Sequence, residues 1–284
     1  MASYTPLELP YFAPAPAPLP TYHEIVAHAS SKTPSQRRRA RDVLQIGEQF
    51  IVKYGKHIDF MEGENMLIVR HYTSIPVPIL YAMYQHEPSG DKVIIMEYVA
   101  GEVLSNCYGK LDSEQRAFIA AQLRQHLSEL RTKIPSPGFY GLPGGRPYLA
   151  HTWTFKRPAG PFASADEFLS AYFAAQFSGA NLPTRRAIEG LKSEFLVLSA
   201  EHSASVFTHG DLQAQNIILR SDGLISIIDW ESASFCPEYF EFFIYGTLDM
   251  VAAGLEKEKG DVTRYTEMVR LAFKAWDTYC RAKQ

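Results

Sequence analysis

The sequence predicts an α+β fold of two packed lobes, a small β-rich N-terminal lobe followed by a larger, mainly helical one. Three observations carry this. The 284 residues exceed what one small core needs and match what two lobes flanking a cleft require. Between residues 42 and 98, short β-like runs surround a single helical stretch. Beyond Gly101 helical periodicity dominates, interrupted by one strongly β-like passage from Ser205 to Ser232.

In chain order, residues 1–32 read as a Pro-rich leader. The prolines between Tyr11 and Pro20 remove backbone donors and fix φ without building a periodic apolar face, so this segment is expected to be extended or mobile. Thr33 and Pro34 mark a helix start, and Arg37, Arg38, Arg39 and Arg41 read as its solvated face. The N-terminal lobe is assigned to residues 33–98. Its strands run over Asp42 to Ile46, Gln49 to Tyr54, Ile79 to Gln85 and Lys92 to Tyr98, with a helix near Asp59 to His71.

The C-terminal lobe, residues 99–284, opens with a helix over Ser113 to Thr132. Asp112 and Ser113 supply its cap, and Phe118, Leu123, Leu127 and Leu130 its apolar face. Helices follow over Ser164 to Phe177, Pro183 to Glu201, Glu238 to Ala253 and Val262 to Arg281.

Composition narrows the function classes. With 46% hydrophobic, 21% charged and 13% aromatic residues the chain is globular, neither disordered nor fibrous. A net charge of −3 gives no electrostatic reason to bind nucleic acid. No run approaches the roughly 18 apolar residues of a membrane span, and no basic start with an apolar core marks a secretory signal. The three cysteines, Cys107, Cys236 and Cys280, are odd in number and widely spaced, which suits a reducing, cytoplasmic setting.

The chemistry lies in the Ser205 to Ser232 passage. Its second half is a hairpin by composition: Asn216 to Arg220, a Ser-Asp-Gly turn, then Leu224 to Asp229. If Asp222 and Gly223 are the two central turn residues, Asn216 falls opposite Asp229, and directly opposed Cβ atoms lie about 4.5–5.5 Å apart. A carboxylate and an amide oxygen at that spacing suit Mg²⁺. A three-residue loop would shift the register by one, and the spacing alone equally describes a turn-closing polar pair. Asp211 adds a third group, five positions before Asn216 in a turn-like His-Gly-Asp segment.

His209-Gly210-Asp211 with Asn216, followed by Ile228-Asp229-Trp230-Glu231, resembles the aminoglycoside phosphotransferase and choline kinase group. The likeness extends to a fungal-type subgroup through Phe50-Ile51-Val52-Lys53-Tyr54-Gly55, Thr73-Ser74-Ile75-Pro76-Val77-Pro78, Met96-Glu97-Tyr98 and Gly160-Pro161-Phe162. It covers most of residues 45–245. It implies a protein kinase-like two-lobed fold and ATP-dependent phosphotransfer to a hydroxyl of a small molecule.

The resemblance also implies roles. Asp211 would accept or orient the proton of the attacking hydroxyl, while Asp229 and Asn216 would hold Mg²⁺ on the phosphates. Lys53 would neutralise phosphate oxygens, paired by Glu62, with Glu64 as the alternative partner. Glu97 to Val99 would form the hinge whose main chain meets adenine, lined by Met96 and Ile95. His209 is expected to be scaffold, and Glu241 to hold the backbone of His209 to Asp211. Glu231 and Glu238 are candidates to attract a cationic amine, or else partners of a helix dipole. Only Gly47 precedes Lys53, so no glycine-rich loop of protein-kinase type is expected.

Three other readings fit parts of this pattern: a protein kinase, an inert nucleotide-binding scaffold and an interaction module. No Ala-Pro-Glu segment follows Asp229, which argues against protein substrates. The joint presence of Lys53, Asp211, Asn216 and Asp229 argues against the inert readings.

Overall fold

The computed structural model describes residues 7–31, 43–149, 155, 157–200, 203–241, 270–271, 274–275 and 277–282. The arginine run and its helix start, and most of the segments expected to be helical over Glu238 to Ala253 and Val262 to Arg281, lie outside them. Residues 277–281 are helical.

Five strands form the N-terminal sheet: β1 (Tyr11–Phe12), β2 (Val43–Ile46), β3 (Phe50–Gly55), β4 (Leu80–His86) and β5 (Asp91–Glu97). They lie in the order β1-β4-β5-β3-β2, with every neighbouring pair antiparallel. The period-two alternation of side chains divides the sheet between two cores. Leu80, Met83, Ile94 and Met96 face helix α2 (Met61–Tyr72), where they meet Met66 and Val69. Leu44, Val52, Val93 and Ile95 face the other way. A bulge between Leu80 and Ala82 lets both Tyr81 and Ala82 join that second face.

The second face is covered by residues 7–31 of the leader, which are packed where the sequence left an extended or mobile segment open. Residues 7–31 supply edge strand β1, paired to β4, and helix α1 (Tyr22–Ser31). Ile25 of α1 is fully buried among Leu44, Val52, Tyr81 and Ile95. Burial of such a side chain contributes roughly 1.5–3 kcal/mol. Tyr22 stacks on His86, with ring centroids 3.6 Å apart, and its hydroxyl donates to Asp91. The prolines keep the segment extended, as expected; an outer sheet face with no other apolar cover fixes it.

In the C-terminal part, α3 (Leu104–Cys107) precedes the long α4 (Ser113–Lys133), which starts at a capping box formed by Asp112 and Gln115. Its buried stripe is Ile119, Leu123, Leu127 and Leu130. Phe118 is 51% exposed, contrary to expectation, because five residues separate it from Leu123 and turn it about 140° away. Helix α5 (Ala165–Gln176) is capped by Ser164, and α6 (Leu182–Ser199) by Asn181 with a proline in its first turn. No helix among the described residues is long and apolar enough to cross a membrane.

Two small sheets carry the β-like passage. Strand β7 (Ser205–Thr208) pairs with β10 (Ser234–Pro237), while β6 (Glu102–Val103) pairs with β8 (Ile217–Leu219), which pairs with β9 (Ile225–Ile227). The hairpin register differs by one from the two-residue-turn expectation: Ile217 faces Ile227, and Ile228 donates to Asn216 O at 2.9 Å. Arg220 N–H bonds Leu224 O, leaving the three-residue loop Ser221, Asp222, Gly223, with Gly223 at φ +79°. A loop of that length needs a residue in the left-handed region, which glycine enters without a steric cost.

Candidate active site

Ile51 and Lys53 share the α2-facing side of β3. Lys53 Nζ lies 2.7 Å from Glu62 Oε2 and 2.6 Å from Asp229 Oδ1. Glu64 does not compete for the lysine. Two residues along a helix turn a side chain by about 200°, and Glu64 instead pairs with Arg146 at 2.7 Å. Burial works against the Lys53 ammonium, but the carboxylates of Glu62, Asp229 and Glu231 outweigh it and hold its pKa above the ordinary lysine value.

Asp229 reaches this position through its backbone. It is the only non-glycine residue with positive φ among those described, at φ 66° and ψ 59°. Such a conformation costs on the order of 1–3 kcal/mol and persists only where surrounding contacts enforce it. Those contacts are present. Asn65 Nδ2 donates to Trp230 O at 2.9 Å and to Ala233 O at 3.0 Å, and Trp230 Nε1 donates to Ile227 O at 2.9 Å.

The segment after β7 is held from beneath by Glu241. Its Oε2 accepts from His209 N at 2.6 Å and Gly210 N at 3.3 Å, and its Oε1 from Leu212 N at 3.3 Å. His209 is fully buried and stands edge-on to Trp230. Its Nδ1 accepts from Asp211 N at 3.2 Å, so Nε2 carries the proton and donates to Ile228 O at 3.0 Å. Burial pushes its pKa down to about 4, which suits a neutral scaffold residue. Gly210 sits at φ +77°, where an added Cβ would lie 2.5 Å from Ser232 O. The loop therefore packs against the segment following Asp229 at backbone contact.

Asp211 accepts from Gln213 Nε2 at 2.7 Å and from Asn216 Nδ2 at 3.0 Å. Burial raises its pKa, these two donors lower it, and the charge of nearby Asp229 adds to the rise. Asn216 Nδ2 also donates to Asp211 O at 2.8 Å. With its amide nitrogen so committed, the amide oxygen has no donor among the described residues.

Oxygen ligands for a metal are thus the Asn216 amide and the Asp229 carboxylate. The structure adds two carboxylates not expected at the metal: oxygens of Glu62 and Glu231 lie within 4.8 Å of each other and of Asp229. Glu62 Oε1 is buried with no hydrogen-bond partner among the described residues, an orphaned acceptor beside this cluster. An all-oxygen set of this kind fits Mg²⁺, which favours hard carboxylate and carbonyl donors.

At the hinge, Met96 lies on the α2 side opposite Ile51, whereas Ile95 points to the leader side. Adjacent strand residues cannot share a face, so Ile95 does not line the cleft. Glu97 N–H bonds Ile79 O at 2.9 Å and Tyr98 N–H bonds Gln49 O at 2.9 Å, while Val99 N–H has no acceptor among the described residues. The Glu97 carboxylate accepts from Ile79 N at 3.1 Å, away from Met96. The β2–β3 connection is a tight turn with Gly47 at φ +63°. Glu238, considered above as a substrate contact, is engaged by Arg131 at 3.2 Å.

A β-sheet lobe with a buried lysine–glutamate pair, facing a loop bearing Asp211, Asn216 and Asp229, defines a kinase-like phosphotransferase. The sequence matches the Phosphotransferase enzyme family over residues 61–271, and the chain belongs to that family. It is therefore a phosphotransferase by family. Among solved structures, it resembles aminoglycoside phosphotransferase APH(4)-Ia at 14% identity and a TM-score of 0.56, over 90% of this chain and 95% of that one. The GDP complex of wild-type aminoglycoside 2'-phosphotransferase-IIIa gives 14% identity and a TM-score of 0.57, over 84% and 83%. A thermostable APH(4)-Ia mutant in ternary complex with AMP-PNP and hygromycin B gives 14% and 0.55, over 85% and 93%. A search of curated proteins returned no match.

Proposed function

We propose that the cleft between the N-terminal sheet and the Asp211 loop binds ATP with Mg²⁺ and delivers the γ-phosphoryl group to a hydroxyl held against Asp211. The observation that carries this reading is the position of Lys53, shared at 2.7 and 2.6 Å between Glu62 and Asp229. Lys53 neutralises phosphate oxygens, and Glu62 fixes its direction. Asp229 and Asn216, assisted by Glu231, hold the metal, which supplies charge neutralisation on the phosphates when bound.

Asp211 accepts the hydroxyl proton as the oxygen attacks phosphorus. Its raised pKa makes it a better base than an exposed aspartate. Met96 and the main chain of Glu97 and Val99 receive adenine, with Val99 N–H as the available donor. The tight turn at Gly47 supplies few phosphate contacts, which leaves Lys53 and the metal as the principal phosphate anchors.

The acceptor is a hydroxylated amine. Support comes from hygromycin B in a structure of similar fold. The free cysteines, two of them buried, support a cytoplasmic setting. Screening amino sugars, amino alcohols and neutral sugars for acceptor-dependent ADP release tests the reading. Release stimulated only by hydroxylated amines supports it, and stimulation by neutral sugars alone contradicts the acceptor class.

A further inference from the structure

A cavity of about 590 Å³ is lined by none of the residues assigned to phosphate, metal or catalysis, and it meets the hinge at Glu97 and Val99. Its walls come from three places: the end of α2 and the loop to β4, the connecting segment after β5, and the β8–β9 hairpin. It therefore spans both lobes. Its volume is within the range of small-ligand sites, roughly 300–1,000 Å³.

The chemistry of the walls is uneven. Ile75, Val77 and Ile79 provide an apolar surface, and four charged side chains reach the cavity: Arg70, Glu97, Arg220 and Asp222. Arg220 and Asp222 pair with each other at 2.9 Å, and the Glu97 carboxylate accepts the Ile79 N–H. Arg70, exposed in the last turn of α2, has no anionic partner among the described residues.

Ser226 is a second, independent sign. Strand β9 reads Ile-Ser-Ile, and its two isoleucines enter the main core while the serine between them faces the cavity. Ser226 is only 2% exposed, and its hydroxyl has no hydrogen-bond partner among the described residues. A buried hydroxyl in that condition costs stability unless something bonds to it.

We propose that this cavity is a second ligand site, taking a small organic carboxylate. Its carboxylate meets Arg70, its apolar body lies on Ile75, Val77 and Ile79, and Ser226 provides the buried hydroxyl donor. A guanidinium presents a planar fork that matches a carboxylate in two parallel hydrogen bonds. The cavity shares no residue with the Lys53 pair or the Asp211 loop, but it borders the proposed adenine site at Glu97 and Val99.

Isothermal titration of the full chain with 3-phenylpropionate, and with its neutral amide as control, tests it. Saturable binding of the acid alone is expected. Arg70→Gln should weaken it by roughly tenfold or more, and Ser226→Ala by a smaller factor. Arg70 is exposed, so its replacement leaves the core intact. Absence of saturable binding, equal binding of acid and amide, or full affinity in Arg70→Gln would each overturn the proposal.

Discussion

Lys53 Nζ lies 2.6 Å from Asp229 Oδ1 although 176 positions separate the two residues in the chain. The contact joins the central region of the N-terminal sheet to the end of the catalytic hairpin. It sets the charge balance of the cleft: with Glu62 on its other side, the ammonium serves two carboxylates. With a metal bound, Asp229 would help hold it and Lys53 would turn its charge to phosphate.

Asp229→Asn tests that exchange. Asparagine tolerates the left-handed backbone that Asp229 adopts at φ 66°, so the variant should fold. Wild type should gain thermal stability from ATP with Mg²⁺ beyond that from ATP alone, and the variant should lose this metal-dependent part. Equal metal-dependent shifts in both proteins would remove Asp229 from the metal site.

Glu241→Ala should lower the melting temperature clearly. Three backbone N–H groups would lose a buried charged acceptor, and each such bond contributes about 1–3 kcal/mol. Glu238→Ala should cost less, because its part-buried ion pair with Arg131 is of the kind worth about 0–1 kcal/mol. Thermal denaturation of both variants checks the order. A selective rise in KM with unchanged stability in Glu241→Ala would instead place Glu241 in the substrate pocket.

The leader gives a third outcome. Ile25→Ala empties a fully buried position beneath the N-terminal sheet and should cost about 2–5 kcal/mol. Urea denaturation reads this directly; an unchanged midpoint would mean that α1 adds nothing to the fold.

Acid should destabilise the protein in two windows. His209 has a folded-state pKa of about 4, below its ordinary 6.5, so between these values the unfolded chain binds more protons and stability falls as pH falls. Burial opposes ionisation of Glu129, but the Ser74 N–H and hydroxyl, Lys133 and Gln125 outweigh it and bring its pKa from 4.5 to about 2. Its contribution is complete above the ordinary value and is lost as pH drops toward 2. Glu129→Gln should flatten only the lower window in denaturation curves measured across pH. An unchanged lower window would show that another group governs it.

The parts of the site that were legible in the sequence are those built from local spacing. Asp211 and Asn216 lie five residues apart on one loop, and Lys53 lies in an apolar strand whose alternation sets its direction. Turn chemistry was harder to read, because Ser221, Asp222 and Gly223 fit a two-residue or a three-residue loop, and the choice moves every pair by one. Asp229 still reaches the cleft because its backbone turns left-handed, which the register alone does not convey. Tertiary partners were hidden altogether. Nothing near Glu238 announces Arg131, 107 positions away, and nothing in the leader announces the sheet face that Ile25 fills. Glu231 was noticed as an acid, but its approach to Glu62 and Asp229 depends on packing of α2 against the segment after Asp229.

The central claim, that Asp211 is the base of a phosphotransfer site, is tested most directly by turnover of Asp211→Asn on an acceptor found in the ADP-release screen. The substitution keeps the shape of the side chain and can retain the contact from Gln213, while removing the proton acceptor. Turnover should fall by roughly 10²–10⁴ with ATP affinity little changed. Full turnover in Asp211→Asn would contradict the account and reduce Asp211 to a residue that shapes its turn.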